Sequence, residues 1–411
     1  MQEAMTACEL LAPAGSLEKL KIAIRYGADA VYFGGRRFSL RARAGNLTRK
    51  EIEKAVIYTG KRGIKSYVAL NVFARNRDVQ EIKDYLLFLK DIKPDGLIIS
   101  DPGMIDLVRR HVPEIPIHLS TQANTTNYQS AVFWQEQGIK RVNLARELSL
   151  EEIRQIRRKT ALELEVFVHG ALCISYSGRC MLSLYLTGRD ANSGNCAHPC
   201  RYAYHLQEEK RPGEFLPVEE DERGLYIFNS RDLCLIKRIP ELLEAGADSL
   251  KIEGRMKGIF YLATVVRVYR AALDAALGKK DNGFSAARAA WELSLISSRQ
   301  YTENFIDGPP DENDMLYEGP DVLQPYIPAA VVLEGGTRPL LRANHVIRPG
   351  DELEYMHKRL AETTFRVTGL YDAKSGMQID KTIGGELVRM ECRPRILFKA
   401  YGLIRKKNIL E

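Results

Sequence analysis

The sequence lacks any apolar run long enough to cross a membrane. No stretch of its 411 residues approaches the roughly 20 consecutive apolar residues of a membrane-spanning helix. Residues 1–11 carry neither a basic cluster nor an extended apolar core, so we expect no secretory signal. These absences predict a cytoplasmic protein with no membrane partner.

Several catalytic signatures are also absent. The sequence contains no Walker phosphate loop, no G-x-S-x-G nucleophile elbow and no H-E-x-x-H helix. Their absence excludes the usual hydrolases and nucleoside-triphosphate enzymes. No G-x-G-x-x-G follows the first apolar run, which argues against a dinucleotide-binding sheet.

Acidic residues are fewer than basic residues in this sequence. The 60 Lys and Arg outnumber the 53 Asp and Glu and give a net charge of +7. This mild positive balance is compatible with a polyanionic partner such as nucleic acid, but proteins that bind nothing acidic carry it too. Apolar residues make up 45% of the chain, which is enough for a large core. A chain of this length predicts one large domain and a small one.

Short apolar runs alternate with amphipathic segments over the first 270 residues or so. The strand-like runs are 8–14, 29–34, 64–72, 95–100, 115–120, 141–145, 164–169 and 249–254. The helix-like segments between them include 17–26, 48–61, 79–90, 104–111, 128–137 and 150–159. Eight such units favour an α/β fold of the TIM-like (β/α)8 barrel type over an open doubly wound sheet.

The pattern also predicts the domain organisation. We expect the barrel over residues 1–277, with a cysteine-bearing insertion at 173–224 that interrupts the alternation. A helical connector follows at 278–320. Over residues 321–411, short and closely spaced strand patterns predict a small C-terminal all-β barrel domain.

Barrel enzymes place their chemistry at the carboxyl ends of the strands. Polar residues at the predicted strand ends are Asn71, Asp101, Thr121, Gln122, Arg146, His169, Glu253 and Arg255. His169, Lys251 and Glu253 are candidate catalytic residues, although a satisfied structural histidine and a buried structural Lys–Glu pair are the alternatives.

Four arginines are candidate substrate-binding residues. Arg146 and Arg255 at the strand ends suit a carboxylate or phosphate. Arg36 and Arg37 belong to the loop 33–46, where arginines beside Phe38 suit phosphate contacts of a nucleic acid. An ordinary solvated loop has the same composition.

Five cysteines cluster after the seventh predicted strand: Cys173, Cys180, Cys196, Cys200 and Cys234. Thiolates are the ligands of iron–sulfur clusters and of structural zinc. Zinc favours two close cysteine pairs, and only Cys196 and Cys200 are that close. An iron–sulfur cluster, a zinc site and inert buried thiols all remain open from the spacing alone.

The segment from Glu165 to Ser183 reads E-V-F-V-H-G-A-L-C-I-S-Y-S-G-R-C-M-L-S. It resembles the diagnostic motif of the U32 peptidase family, also labelled collagenase-like. The segments E-L-L-A-P-A-G-S-L-E, D-A-V-Y-F-G-G and K-I-E-G-R-M-K are similar to that family too. The resemblance therefore covers nearly the whole chain.

The resemblance implies an oxygen-independent hydroxylase with a 4Fe-4S cluster. Cys173, Cys180, Cys196 and Cys234 correspond to its ligands, with Cys200 as an alternate. Family members hydroxylate a tRNA wobble uridine to 5-hydroxyuridine with prephenate as hydroxyl donor, a cytidine of rRNA, or ubiquinone precursors. The length and the C-terminal β-module resemble the tRNA branch.

The resemblance also implies partners. It predicts tRNA as a partner and allows a related family subunit. A protease, as the family label says, and a zinc-stabilised RNA-binding module without catalysis are the rival classes.

Overall fold

The computed structural model describes most of the chain. The described residues are 8–39, 46–172, 181–191, 195–199, 206–207, 215–216, 219–221, 224–226, 229–279, 283–296, 300–309, 315–316 and 325–408. By their internal contacts, residues 1–17, 29–256 and 298–321 form one compact unit, and residues 18–28, 257–297 and 322–411 form another. The sequence predicts domain boundaries at residues 277 and 320, which divide the chain differently from these two units. Those boundaries stay predictions.

Among the described residues, fourteen strands lie in the first part of the chain. They are β1 (Glu9–Pro13), β2 (Ala30–Gly34), β3 (Lys65–Leu70), β4 (Gly96–Ile99), β5 (Ile117–Leu119), β6 (Arg141–Asn143), β7 (Glu163–Gly170), β8 (Leu206–Gln207), β9 (Phe215–Leu216), β10 (Glu219–Asp221), β11 (Gly224–Tyr226), β12 (Asn229–Ser230), β13 (Asp232–Cys234) and β14 (Ser249–Ile252). The remaining strands are β15 (Tyr301–Thr302), β16 (Met315–Leu316), β17 (Tyr326–Glu334), β18 (Leu340–Ala343), β19 (Glu352–Met356), β20 (Glu362–Asp372), β21 (Leu387–Arg393) and β22 (Leu403–Lys407).

The α-helices alternate with the early strands. They are α1 (Leu17–Tyr26), α2 (Arg49–Gly60), α3 (Val79–Ile92), α4 (Pro102–His111), α5 (Tyr128–Glu136), α6 (Leu150–Lys159), α7 (Leu182–Thr187), α8 (Ile239–Glu244), α9 (Ile259–Ala276) and α10 (Ala286–Ser294). Among the described helices, none is both long and apolar enough to span a bilayer.

The first unit contains a closed parallel barrel. Its strand order is β14-β1-β2-β3-β4-β5-β6-β7, and pairing between β7 and β14 closes the ring. Leu11, for example, lies opposite Lys251 on one side and Ala30 on the other. The TIM-like (β/α)8 barrel that the sequence predicts is confirmed, and all eight predicted strands form it.

Helix caps fix where several barrel helices begin. Thr48 and Ser149 accept from the backbone N–H groups of Glu51 and Glu152, whose carboxylates accept in return from the cap residues. These reciprocal bonds satisfy donors that a helix start otherwise leaves unpaired. At α4, Asp101 caps the helix and Pro102 occupies its first turn. At these three helices, local sequence therefore determines where the helix begins.

Two extra strands extend the sheet beside β7. β13 runs antiparallel to the end of β7, with Cys234 opposite His169 and Leu233 opposite Gly170. β15 then pairs with β13 in parallel. Both strands lie outside the predicted insertion 173–224: β13 follows it, and β15 falls within the predicted connector 278–320.

The second unit contains the predicted all-β barrel. Six antiparallel strands close in the order β17-β18-β21-β20-β19-β22. Alternate side chains fill its interior, among them Val332, Leu341, Phe365, Met390 and Phe398. Alternation of apolar and polar residues along short strands made this barrel predictable.

A buried ion cluster joins α9, α10 and the strands of this second unit. Arg405 donates from Nη1 to Glu292 Oε2 at 3.0 Å and from Nε to Glu354 Oε2 at 2.7 Å. Arg267 contacts Glu362 Oε1 at 2.6 Å and also contacts Glu292. Both arginines are fully buried. Burial alone would raise the pKa of the Glu292 carboxyl, but Arg267 and Arg405 hold it below its ordinary value.

We expect Glu292→Gln to destabilise the protein by about 3 kcal/mol, because it leaves two buried guanidinium groups undercompensated. Since the pKa of Glu292 is lowered, its contribution is present above the ordinary carboxyl pKa of 4.5 and disappears as the pH falls through the lower folded value. Urea unfolding of the wild-type chain and the Glu292→Gln variant between pH 7 and pH 3 measures this effect. The difference between their free energies of unfolding should become smaller in acid.

The matched control for this experiment is Glu334→Gln. Glu334 pairs with Arg389 at 2.8 Å on the surface, where both side chains are exposed. Since surface ion pairs contribute little, we expect Glu334→Gln to change the free energy of unfolding by less than about 0.5 kcal/mol. If Glu292→Gln is no more destabilising than the control at pH 7, the buried cluster does not stabilise the unit.

Candidate functional site

Alternate residues of the parallel barrel point into its interior. On β6, Arg141 Nη1 lies 2.6 Å from Glu9 Oε1 on β1 and 3.3 Å from Glu165 Oε2 on β7. A side chain that reaches carboxylates on both of these strands faces the inside of the barrel. Because side chains alternate along a strand, Asn143 faces the same interior, two residues nearer the carboxyl end.

Four charged residues form the interior ion network: Glu9, Arg141, Glu165 and Lys251. Lys251 Nζ donates to Glu165 Oε1 at 2.6 Å, and Tyr67 donates its hydroxyl to Glu9 Oε2 at 2.7 Å. All four charged side chains are buried. Two cations and two carboxylates therefore balance one another where water is excluded, which is the condition for burying charge at tolerable cost.

Burial and neighbouring charges set the protonation of this interior. Burial, followed by the charges of Arg141 and Lys251, holds the pKa of His118 well below its ordinary value, so the imidazole is neutral. Burial also lowers the pKa of Lys251, although the Glu165 carboxylate opposes the shift. For Glu9, burial alone would raise the pKa, but Arg141 reverses the sign and the net pKa is lowered.

The three candidate catalytic residues occupy two levels. Lys251 lies in the interior ion network. His169 and Glu253 lie closer to the mouth, where Glu253 N donates to His169 O at 2.8 Å. The buried His169 ring also lies 5.2 Å from the ring of Tyr301, between centroids. The structure brings His169 and Glu253 together, and their catalytic roles stay predictions.

Two buried amides lie at the mouth of the barrel. Gln122 follows β5, and its Oε1 accepts from Asn71 Nδ2 at 2.8 Å and from Ser120 Oγ at 2.9 Å. Within the described part of the chain, Gln122 Nε2 and Asn143 Oδ1 have no hydrogen-bond partner. The sequence singled out Gln122 as a strand-end residue but missed Asn143, whose only signal was one amide inside the apolar run R-V-N-L-A.

The two candidate arginines at the mouth are held differently. Arg146 Nη1 donates to Ala171 O at 2.5 Å, and its guanidinium lies 3.9 Å from the centroid of the Phe167 ring. Arg146 Nε has no partner among the described residues. Arg255 is buried and donates to Ser39 Oγ at 2.7 Å and to Asn46 Oδ1 at 2.5 Å. Arg146 therefore retains more donor capacity for a ligand.

Arg36 and Arg37 are both exposed. Arg37 Nη2 lies 2.7 Å from Glu81 Oε2, and its guanidinium is 5.3 Å from the Phe38 ring centroid. An exposed pair of this kind exchanges readily for another anion, because surface ion pairs contribute little. Their predicted role in binding phosphate stays a prediction.

A glycine lies at the point where β7 ends. Gly170 has φ +113°, a backbone conformation that residues with a side chain rarely adopt. A Cβ atom there would lie 2.7 Å from the carbonyl oxygen of Glu253. Glycine therefore allows β7 and the segment after β14 to approach closely, just before the chain enters the cysteine-bearing segment.

The described cysteines are compatible with a thiolate-ligated metal centre. Neither Cys234 nor Cys196 forms a disulfide with another described residue. Cys234 lies opposite His169, which precedes Cys173 by four residues in the sequence. Cys196 Sγ accepts from His198 N at 3.3 Å, a contact that iron–sulfur ligands commonly make.

Cys173, Cys180 and Cys200 lie outside the described residues. The residues that are described contain no group of three His, Cys, Asp or Glu side chains able to hold a metal ion. The predicted ligand set therefore stays a prediction. Cys8 and Cys392, by contrast, are buried, and Cys392 belongs to the hydrophobic core of the all-β barrel.

A closed parallel barrel with cationic, amide and thiol groups at one end defines the class of (β/α)8-barrel proteins with a site at the carboxyl ends of the strands. Comparison with known families then specifies the chain further. It belongs to peptidase family U32, whose model matches residues 15–316.

Curated relatives carry names from RNA modification. The "tRNA hydroxylation protein P1" of Bacillus subtilis (strain 168) is 40% identical over 90% of this chain and 88% of the relative. The "tRNA hydroxylation protein P" of Escherichia coli (strain K12) is 41% identical over 72% of this chain and 74% of the relative. The solved "U32 Peptidase Mk0906" is 16% identical, covers 62% of this chain and 96% of that one, and has a TM-score of 0.40.

We expect Lys251→Met to destabilise the protein by about 3 kcal/mol, because Glu165 loses its closest buried counter-charge. The double variant Lys251→Met/Glu165→Gln should lose less free energy of unfolding than the two single variants lose in sum. The difference is a coupling energy of about 1–3 kcal/mol. Urea unfolding of the four proteins measures the coupling.

The control cycle for this pair uses Arg158 and Glu151. Their ion pair is 3.0 Å long, and both side chains are exposed. Its coupling should stay below about 1 kcal/mol. Equal coupling in the two cycles would contradict a stabilising interior ion network.

Proposed function

We propose that the chain is a tRNA uridine hydroxylase that forms 5-hydroxyuridine at the wobble position. In this proposal it uses prephenate as the hydroxyl donor and carries a 4Fe-4S cluster. The observation that carries the proposal is the position of Cys234. Pairing of β13 with β7 holds this thiol opposite His169, beside the strand end that leads into the run containing Cys173 and Cys180.

The relatives support an enzyme that modifies RNA. Proteins named for tRNA hydroxylation resemble this chain over most of its length. A relative named "23S rRNA 5-hydroxycytidine C2501 synthase" is 34% identical, but this chain spans only 43% of that protein. The family label and a relative named "Uncharacterized protease MJ0090" keep a peptidase as the rival function.

Cysteine thiolates would hold the cluster. The proposed ligands are Cys173, Cys180, Cys196 and Cys234, with Cys200 as the alternate. When bound, such a cluster supplies iron for electron transfer or Lewis-acid chemistry. The contribution of this chain is to hold the thiolates beside the barrel mouth and to donate the His198 N–H to Cys196 Sγ.

Arg146 is the best-supported site for the donor. Prephenate carries two carboxylates, and a guanidinium binds carboxylates with paired, charge-assisted hydrogen bonds. The contacts of Arg146 with Ala171 and Phe167 restrict the orientation of its guanidinium before a ligand binds. Such preorganisation reduces the entropy that binding must overcome.

The RNA itself would approach as a single-stranded loop. An anticodon-loop base is accessible without melting a duplex. Exposed cations such as Arg36 and Arg37 suit the sequence-independent phosphate contacts that position RNA. Bacillus subtilis has two similar proteins, P1 and P2, which supports a related family subunit as a further proposed partner. We propose the cytoplasm as the compartment, since tRNA is modified there.

We expect Cys234→Ala to lose most of the bound iron and nearly all 5-hydroxyuridine formation, because one thiolate ligand is missing. Iron per chain after anaerobic purification measures the first effect. Mass analysis of tRNA nucleosides, in a strain deleted for its own tRNA hydroxylation protein and expressing the variant, measures the second.

Cys392→Ala is the matched control, since Cys392 is buried on β21 of the second unit. It should retain iron and activity. Full iron and normal 5-hydroxyuridine in Cys234→Ala would remove this residue from the ligand set. Cleavage of gelatin by the intact chain, combined with unchanged tRNA nucleosides, would favour the peptidase instead.

We expect Arg146→Gln to raise the prephenate concentration needed for half-maximal activity by roughly 10- to 100-fold, the range for losing a charged hydrogen bond. Arg146→Lys should restore it only in part, because an ammonium cannot bind a carboxylate with two parallel bonds. Steady-state kinetics at varied prephenate and saturating tRNA measure this. Arg154→Gln on α6 is the control, and an unchanged prephenate dependence in Arg146→Gln would contradict the assignment.

A further inference from the structure

Two buried amide groups at the mouth present opposite hydrogen-bonding character. Gln122 is 3% exposed and Asn143 is 2% exposed. Within residues that the structure describes, the donor Gln122 Nε2 and the acceptor Asn143 Oδ1 both lack a partner. Native proteins rarely leave buried polar groups unpaired, because each such group costs free energy. This makes the pair a candidate ligand-binding site.

Neighbouring side chains orient the Gln122 amide. Asn71 Nδ2 and the Ser120 hydroxyl both donate to Gln122 Oε1, at 2.8 and 2.9 Å. These contacts occupy the acceptor end of the amide. The end that lacks a partner is therefore the donor, Nε2, and the supporting residues come from the ends of β3 and β5.

Strand register brings the second amide close to the first. β5 and β6 pair with His118 opposite Arg141 and Leu119 opposite Val142. Continuing this register by one residue aligns Ser120 with Asn143, and adjacent strands lie about 4.8 Å apart. Since Ser120 itself donates to Gln122, both amides belong to one small region of the barrel mouth.

A hydrogen-bond donor beside a hydrogen-bond acceptor matches the Watson–Crick edge of uracil better than that of cytosine. Uracil presents the O4 carbonyl, an acceptor, next to N3–H, a donor. Cytosine presents an amino donor and an unprotonated N3 acceptor at the same two places. A carboxylate offers only hydrogen-bond acceptors, and it would be repelled by the Asn143 oxygen. The carboxylates of prephenate therefore fit this pair less well than a base does.

We propose that Gln122 and Asn143 are specificity-determining residues that bind the Watson–Crick edge of the target base and select uracil over cytosine. Gln122 Nε2 donates to O4, and Asn143 Oδ1 accepts from N3–H. Enzymes that act on a base read this edge by hydrogen bonds when the base is unpaired. The inference rests on the proposed function and adds the residues that choose the base.

The first test changes the RNA and leaves the protein intact. Anticodon stem-loops carry uridine, cytidine, 3-methyluridine or 2′-O-methyluridine at the target position, with the iron-loaded chain and prephenate supplied. We expect 3-methyluridine and cytidine to react at least 10-fold more slowly than uridine, because each removes the N3–H donor. The 2′-O-methyl control keeps the base edge and should react like uridine.

The second test changes the protein. Gln122→Glu replaces the donor with an acceptor, and Asn143→Ala removes the acceptor without adding charge. We expect kcat/KM for the uridine stem-loop to fall roughly 10- to 100-fold in each, the range for one unpaired buried group. Gln122→Glu should also raise the cytidine-to-uridine ratio. Iron content and melting temperature identify any variant that fails to fold.

Gln137→Glu is the matched amide-to-acid control. Gln137 is the C-cap residue of α5, at the opposite end of the barrel from the mouth. The Gln137→Glu variant should therefore have an unchanged kcat/KM. If the wild-type chain leaves uridine unmodified, the proposed function fails and this inference fails with it. If uridine and 3-methyluridine react equally, the proposed function survives and the inference alone is overturned.

Discussion

Arg141 contacts carboxylates on two other strands from inside the parallel barrel. Its guanidinium lies 2.6 Å from Glu9, 2.7 Å from Glu163 and 3.3 Å from Glu165. A buried arginine remains charged at any pH that a protein encounters, so it needs counter-charges such as these carboxylates beside it. Closure of the barrel and charge balance in its interior are therefore one constraint, and β1, β6 and β7 cannot separate without exposing unpaired charge.

This constraint also limits the geometry of the barrel mouth. A filled and charge-balanced interior limits how far the strand ends can move, and the strand ends carry Gln122, Asn143 and Arg146. Each of these groups retains hydrogen-bonding capacity within the described structure, whereas the network below them is satisfied. The charged groups that stabilise the barrel and the residues proposed to recognise ligands therefore lie at different levels of the same barrel.

Local patterns predicted the fold well. The strand at 29–34 and the helix after Thr48, for example, follow from an apolar run and from a capping box, both readable within a few residues. The site was less predictable, because it depends on strand register and on contacts between distant residues. Arg255 illustrates this: its partners Ser39 and Asn46 lie more than 200 positions away, and no local pattern indicates them. Asn143 was missed because only pairing with β5 reveals its neighbour.

The pairing of β7 with β13 has a consequence for how the segment between them can vary. Gly170 and Leu233 lie opposite each other in the paired strands, so both ends of the segment are held together by the sheet itself. The entropy of closing a loop grows only logarithmically with its length, by about 0.6 kcal/mol per doubling. Related chains can therefore lengthen or shorten this segment at little thermodynamic cost, provided that they keep the glycine and the strand that anchor its two ends.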